Sequence, residues 1–299
     1  MLLDCVIIGG GPSGLNASLV LGRARKKVIL FDENKPRNAV THESHGFITR
    51  DGIKPSEFKR IAREDLMNYP DITMENQRVT DIKKENDAFM VRAEDGRSFR
   101  SRKVLLATGL KDELPAIEGI HQFYGKTLFS CPFCDGWELR DRPLVLISED
   151  NRAFHMAKMI SNWSNNLAVC TNGNLIFSEE QKEILIRKQI KVFDDEIAAL
   201  EGESGRLAKI KFRNGNELFR AGGFVTTGLT QAAPFAEVLG CKMNNMGGIE
   251  TDTLGRTNIE GVYASGDNSI LAPSQLIIAA SEGSKAAIGI VHDLVNEEF

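Results

Sequence analysis

The 299-residue sequence predicts an α/β fold made of two Rossmann-like, doubly wound nucleotide-binding domains. Three observations predict it. One apolar pattern occurs twice at a fixed offset, a glycine-rich loop directly follows the first strand of the first copy, and each copy closes on a short strand ending in Thr-Gly.

The repeat is read first, because a missed repeat misassigns a whole fold. The segment from Cys5 to Asp32 aligns without a gap on the segment from Leu144 to Thr171, an offset of 139 residues. Val6-Ile7-Ile8 falls on Val145-Leu146-Ile147, and Val28-Ile29-Leu30-Phe31 falls on Leu167-Ala168-Val169-Cys170. A helix-length stretch separates the runs in both copies, so each is a strand, helix, strand unit. Downstream both copies carry a hairpin signal, Asp95-Gly96 in the first and Asn214-Gly215 in the second. Each then has a strand ending Ala107-Thr108-Gly109 or Thr226-Thr227-Gly228. Parallel sheets of this kind take ligands at the carboxyl ends of their strands.

In the first copy, Gly9-Gly10-Gly11-Pro12-Ser13-Gly14 fits GxGxxG directly after a strand, and Asp32 closes the next strand. Strand, glycine loop, helix and acid in that order are the dinucleotide fingerprint. Gly9 permits the tight turn, Gly11 lets backbone approach a pyrophosphate, and Gly14 lets helix pack on strand, with Pro12 and Ser13 opening the helix. Asp32 is the acceptor for a ribose hydroxyl. A dinucleotide is therefore expected on this copy.

Composition narrows the partners. At 42% hydrophobic and 26% charged residues, the chain can bury two cores, and a formal net charge of -4 gives no footprint for nucleic acid or an anionic membrane. No apolar run approaches the roughly 18 residues a membrane span requires. The chain runs from Met1 straight into the first strand with no secretion-signal pattern, so a cytoplasmic, reducing compartment is expected. Five cysteines in a chain of this size are not a disulfide framework. Cys5 and Cys170 lie in apolar runs and are expected to be buried. The five histidines form no HxxxH pair, and no metal site is expected.

Cys131-Pro132-Phe133-Cys134-Asp135-Gly136 puts two thiols at CxxC spacing, close enough for a reversible disulfide. Near the C-terminus, Gly261-Val262-Tyr263-Ala264-Ser265-Gly266-Asp267 ends a strand, and Gln275 begins a helix-like run. With these the chain resembles the pyridine nucleotide-disulfide oxidoreductases of low-molecular-weight thioredoxin reductase type, over nearly its whole length. The resemblance implies that the dinucleotide is FAD. It also implies a discontinuous FAD domain, residues 1–112 and 235–299, with a CxxC-bearing, NAD(P)-binding-like domain, 113–234, inserted in it.

The same resemblance places Thr108, Gly109, Gly266, Asp267, Gln275 and Val79 near the cofactor. The run from Asp32 to Asn38, with His42 and His45, is similar to the flavin-contacting loop of the gliotoxin and holomycin dithiol oxidase branch, which makes Arg37, Asn38 and His45 candidate FAD contacts. Carried over, Cys134 faces the flavin, Cys131 exchanges with the substrate sulfur, and Asp135 moves the proton; a helix-cap or turn carboxylate is the other reading of Asp135. Where thioredoxin reductases carry small residues between the cysteines, this chain has Pro132 and Phe133. With Trp137 and Glu138 they resemble the dithiol oxidase pattern. Phe133 and Trp137 are candidates to wall an apolar substrate pocket. A homodimer is implied by the resemblance alone.

At the positions of Gly9, Gly11 and Gly14 the second copy carries Ser148, Asp150 and Ala153, and Glu149 adds a second carboxylate. Like charges about 4 Å apart at an effective dielectric near 20 cost on the order of 4 kcal/mol each, a large share of the ~8 kcal/mol in a micromolar complex. No Lys or Arg follows Cys170 until Lys182, so a 2′-phosphate has no basic cluster. NADPH is not expected there. The expected activity is dithiol/disulfide exchange with a small dithiol or a thioredoxin-like protein, completed by oxygen or another electron partner. An NADPH-dependent thioredoxin reductase and a flavin redox sensor without turnover are the alternatives.

Overall fold

A computed structural model describes residues 1–269 and 274–299. Residue contacts divide the chain into two compact units: Met1–Ala39, Gly46–Lys111 and Leu229–Phe299 in the first, Val40–His45 and Asp112–Gly228 in the second. The second unit enters between Lys111 and Leu229 of the first and also takes Val40–His45.

In the first unit the elements are β1 (Leu2–Ile8), α1 (Pro12–Arg23), β2 (Val28–Phe31), a 3-10 turn (Arg37–Val40) shared with the second unit, α2 (Pro55–Leu66), β3 (Ile72–Glu75), β4 (Val79–Glu85), β5 (Ala88–Ala93) and β6 (Ser98–Leu106). The chain continues through β7 (Leu110–Glu113), α3 (Ile120–Phe123), β8 (Leu128–Phe129), α4 (Pro132–Leu139), β9 (Leu144–Ile147), α5 (Arg152–Ile160), β10 (Leu167–Cys170), α6 (Glu179–Arg187) and β11 (Lys191–Phe193). It ends with β12 (Ile197–Glu203), β13 (Arg206–Phe212), β14 (Glu217–Phe219), β15 (Gly222–Val225), β16 (Gly228–Gln231), α7 (Phe235–Val238), β17 (Val262–Ala264) and α8 (Leu276–Glu298).

The first sheet runs β3-β2-β1-β6-β5-β4, with β17 on β6; the second runs β11-β10-β9-β15-β8, beside a three-stranded β12-β13-β14 meander. The repeat is preserved at the level of strand register. Cys5 pairs with Val28 in the first unit and Leu144 with Leu167 in the second, both shifted by 139. The closing strand takes the same place in each sheet, though not at that offset, since Cys5 pairs with Lys103 and Leu144 with Gly222. The hairpin signals sit at Gly96 and Gly215, both at positive φ, between β5 and β6 and between β13 and β14.

The parallel strands of both units are buried on two faces, by helices on one and mainly by antiparallel strands on the other, β4 and β5 in the first unit and β12 to β14 in the second. Val6 and Ile8 enter one core of the first unit, and Cys5 and Ile7 the other. The second core receives Leu15 and Leu21 of α1 and Ala286, Ile290 and Leu294 of α8. Leu144 and Leu146 alternate with Val145 and Ile147 in the same way in the second unit. Cys5 and Cys170 are fully buried, as expected, and burial pushes both thiols up, Cys170 to about 12. Among the described residues no helix is long and apolar enough to cross a membrane.

Candidate functional site: a helix-mounted disulfide and a glycine-loop nucleotide seat

Cys131 and Cys134 form a disulfide with their Cα atoms 5.3 Å apart. Cys131 is the N-cap of α4 and Pro132 fills its first turn, where the missing N–H costs nothing and φ is already helical. Cys134 and Asp135 donate backbone N–H bonds to the Cys131 carbonyl. Both sulfurs therefore sit at the positive end of a helix, which favours the thiolate once the disulfide opens. Gly136 lies inside the helix, so no turn forms there. A β-carbon on it would come within 2.7 Å of the Trp163 ring, and Phe133 meets the same ring edge-on at 5.6 Å. The helix is thus held flat on one tryptophan, while Phe133 and Trp137 are 60% and 65% exposed.

Asp135 follows the second sulfur directly. Burial pushes its carboxyl up to about 7, the nearby Glu138 carboxylate adds to that, and His45 acts against both. The residue is a half-buried acid in the first turn of α4, a place that suits either a proton carrier or a helix-end carboxylate. His45 Nε2 is 3.7 Å from Glu138 Oε1 and 3.8 Å from Glu43 Oε2. Val40–His45 belongs to the second unit, where His45 lies beside Glu138 of α4.

In the first unit, Gly9 has φ of +114° and lies so close to the sheet that a β-carbon would reach within 2.1 Å of the Ala107 carbonyl oxygen. Gly14 in turn lies against Gly9, whereas Gly11 has open space around it. Gly10, which the motif leaves unspecified, would drive a β-carbon to 2.4 Å from the Asp32 carboxyl. Helix α1 starts with no side-chain cap. Ser13 Oγ shares a 2.6 Å hydrogen bond with Ser265 Oγ, which ties the loop to the Gly266–Asp267 turn. Asp267 pairs with Arg37 at 3.3 Å, and Asn38 lies in the same 3-10 turn as Arg37. Asn268 donates to the Leu106 carbonyl and to Thr108, and its buried Oδ1 has no partner among the described residues. Gly109 is at positive φ beside it, and Gln275 is the N-cap of α8. The Val79 side chain faces the core, so only its backbone is left to meet a ligand.

The profile of the pyridine nucleotide-disulphide oxidoreductases matches residues 3–283. The chain belongs to this family. The solved structure of TrxB from Bacillus anthracis, provisionally named a thioredoxin reductase, is 46% identical, with a TM-score of 0.96 over 99% of this chain and 100% of that one. HlmI is 33% identical, with a TM-score of 0.93 over 99% of this chain and 93% of that one. Among curated relatives, the thioredoxin reductase aclD of Aspergillus oryzae is 28% identical over 99% of this chain and 98% of its own length.

As a member of this family the protein is an FAD-dependent disulfide oxidoreductase. Its residues fit that cofactor: an open position at Gly11, an uncapped helix start, an acid at Asp32 and, at Asn268, a buried acceptor with no partner among the described residues.

The second glycine-loop position is built differently. Ser148 replaces Gly9 without a left-handed φ, and its Oγ meets Thr226 Oγ1 at 2.8 Å. Asp150 Oδ1 accepts the Arg152 backbone N–H at 2.9 Å, at the very start of α5, and the Arg152 guanidinium forks onto the same carboxylate. Arg152 also donates to the Thr227 carbonyl, and Glu149 accepts from Asn172. Sequence reasoning missed this latch, because Arg152 has no counterpart in the glycine motif. Glu138 was visible only as a pattern residue, although it lies three positions from Asp135 and therefore shares a helix face with it.

Proposed function

We propose that the protein oxidises a small dithiol at Cys131–Cys134 and does not draw its electrons from NADPH. The observation that carries the redox reading is the disulfide at the N-terminus of α4 with a near-neutral acid beside it. A substrate thiolate attacks Cys131 Sγ, and Cys134 leaves as a thiolate at the helix N-terminus. The second substrate thiol then attacks the mixed disulfide, the cyclic or linear disulfide product leaves, and both cysteines are reduced. Asp135, as the carboxylate, takes a proton from the attacking thiol. Gly9–Gly14, Asp32, Arg37, Asn38, Thr108, Gly109, Gly266, Asp267 and Gln275 would hold FAD, which would supply the two-electron acceptor for the reduced cysteines, with oxygen as the final oxidant. His45 acts with Glu138 and Asp135 on this reading, and Phe133 and Trp137 give the substrate an apolar face.

Independence from NADPH rests on the latch. Arg152 neutralises Asp150 and holds its carboxyl below the usual range, so the repulsion anticipated from two carboxylates is smaller than the sequence alone implies. What opposes a pyrophosphate is occupancy: the first N–H of α5 is already bonded to Asp150, and no glycine opens the loop.

Oxygen uptake with dithiothreitol as the dithiol tests the proposal. Steady peroxide formation that needs both cysteines is expected. Turnover only after an added electron donor would show a reductase instead, and a single stoichiometric reduction would show a redox sensor.

A further inference from the structure

Helix α2 buries two residues, Leu66 and, unexpectedly for a surface helix, Lys59. Lys59 is 9% exposed and Asp32 8%, and the lysine Nζ lies 2.5 Å from Asp32 Oδ2. One helical turn on, Arg63 reaches the same oxygen at 3.5 Å and Asn76 at 2.5 Å. Lys59 also donates to Asn34 Oδ1 at 2.8 Å, while the Asn34 backbone N–H donates to Asp32 Oδ1 at 2.9 Å. Asn34 is held at φ +59° in the turn that leaves β2. The carboxyl itself rests on Gly10, where no β-carbon could fit.

We infer that Lys59, supported by Arg63, is a positioning residue for the adenosine end of the cofactor, acting through Asp32. A carboxylate has about four lone-pair sites. Lys59 and Arg63 hold Oδ2, the oxygen that lies against Gly10, and Asn34 takes one site on Oδ1, which leaves the other Oδ1 site for a ribose hydroxyl. Without the lysine, a buried carboxylate keeps fewer donors than it requires and no longer holds one rotamer. The inference rests on the reading that FAD occupies the first glycine loop.

The test is titration of the apoprotein with FAD and with ADP, which carries the ribose and diphosphate but no flavin. For Lys59→Met both dissociation constants are expected to rise by about tenfold, or ~1.4 kcal/mol. Lys59→Arg should retain wild-type affinity within about threefold. Asp32→Asn should lose a similar factor, and adding Lys59→Met to it should cost nothing more, because both act on one contact. Thermal midpoints of the apoproteins should not follow this pattern. Unchanged affinity in Lys59→Met, losses that add in the double variant, or losses that track apoprotein melting would overturn the inference. Failure of the wild-type apoprotein to bind FAD would instead overturn the reading beneath it.

Discussion

Replacing Cys131 with serine is expected to lower dithiol turnover by on the order of 10³-fold or more, and Cys134→Ser to do the same. The double variant should be no worse than either single one, because the two sulfurs act as a unit and removing one already removes the exchange. Bound flavin should survive in all three, since the glycine loop, Asp32 and the Gly266–Asp267 turn lie in the other compact unit. The single variants should also differ in kind. With Cys134 as serine, Cys131 can still form a mixed disulfide with a substrate thiol under oxidising conditions, and mass spectrometry should find it. With Cys131 as serine, substrate capture should be much slower. Equal trapping at both positions would remove the division of labour between the sulfurs.

Asp135→Asn is expected to be the next largest effect, a loss of about 10²- to 10⁴-fold in turnover, the usual worth of a positioned acid or base. With the wild-type carboxyl raised to about 7, the rate should climb with pH through that value as the carboxylate forms. In Asp135→Asn that limb should move toward the ordinary thiol range near 8.5. Stability should respond with the opposite sign. An acid whose folded pKa is raised contributes stability fully present below its unfolded value near 3.8, and progressively lost as pH rises through about 7. Asp135→Asn should therefore gain in melting temperature over wild type at pH 8 and show little gain at pH 4. A pH-rate profile unchanged by the substitution would assign the proton to another group, with Glu138 and His45 the nearest candidates.

Much of the fold was legible because both copies of the repeat use the same physics. A strand buried on two faces reads as an unbroken apolar run, and a gap-free offset carries over to an identical register, Cys5 with Val28 and Leu144 with Leu167. The disulfide was legible from spacing alone. Less legible were features that depend on residues distant in sequence. Gly136 had no packing signal in the sequence, yet a β-carbon there would run into a tryptophan 27 positions later. The nearness of His45 to Glu138, far away in sequence, had no signal either. Lys59 had no motif to announce it, and its burial makes sense only once Asp32 is seen beside it. At the second loop the missing glycines were visible, but Arg152 turned an expected charge repulsion into an internal ion pair.

Anaerobic stopped-flow reduction of the FAD-loaded enzyme, by a dithiol in one syringe and by micromolar NADPH in the other experiment, tests the central claim most directly. The dithiol should bleach the flavin in a phase lost in Cys131→Ser and Cys134→Ser, and NADPH should leave it oxidised over the same time. Rapid bleaching by NADPH would contradict the claim and make the protein an ordinary nucleotide-driven reductase.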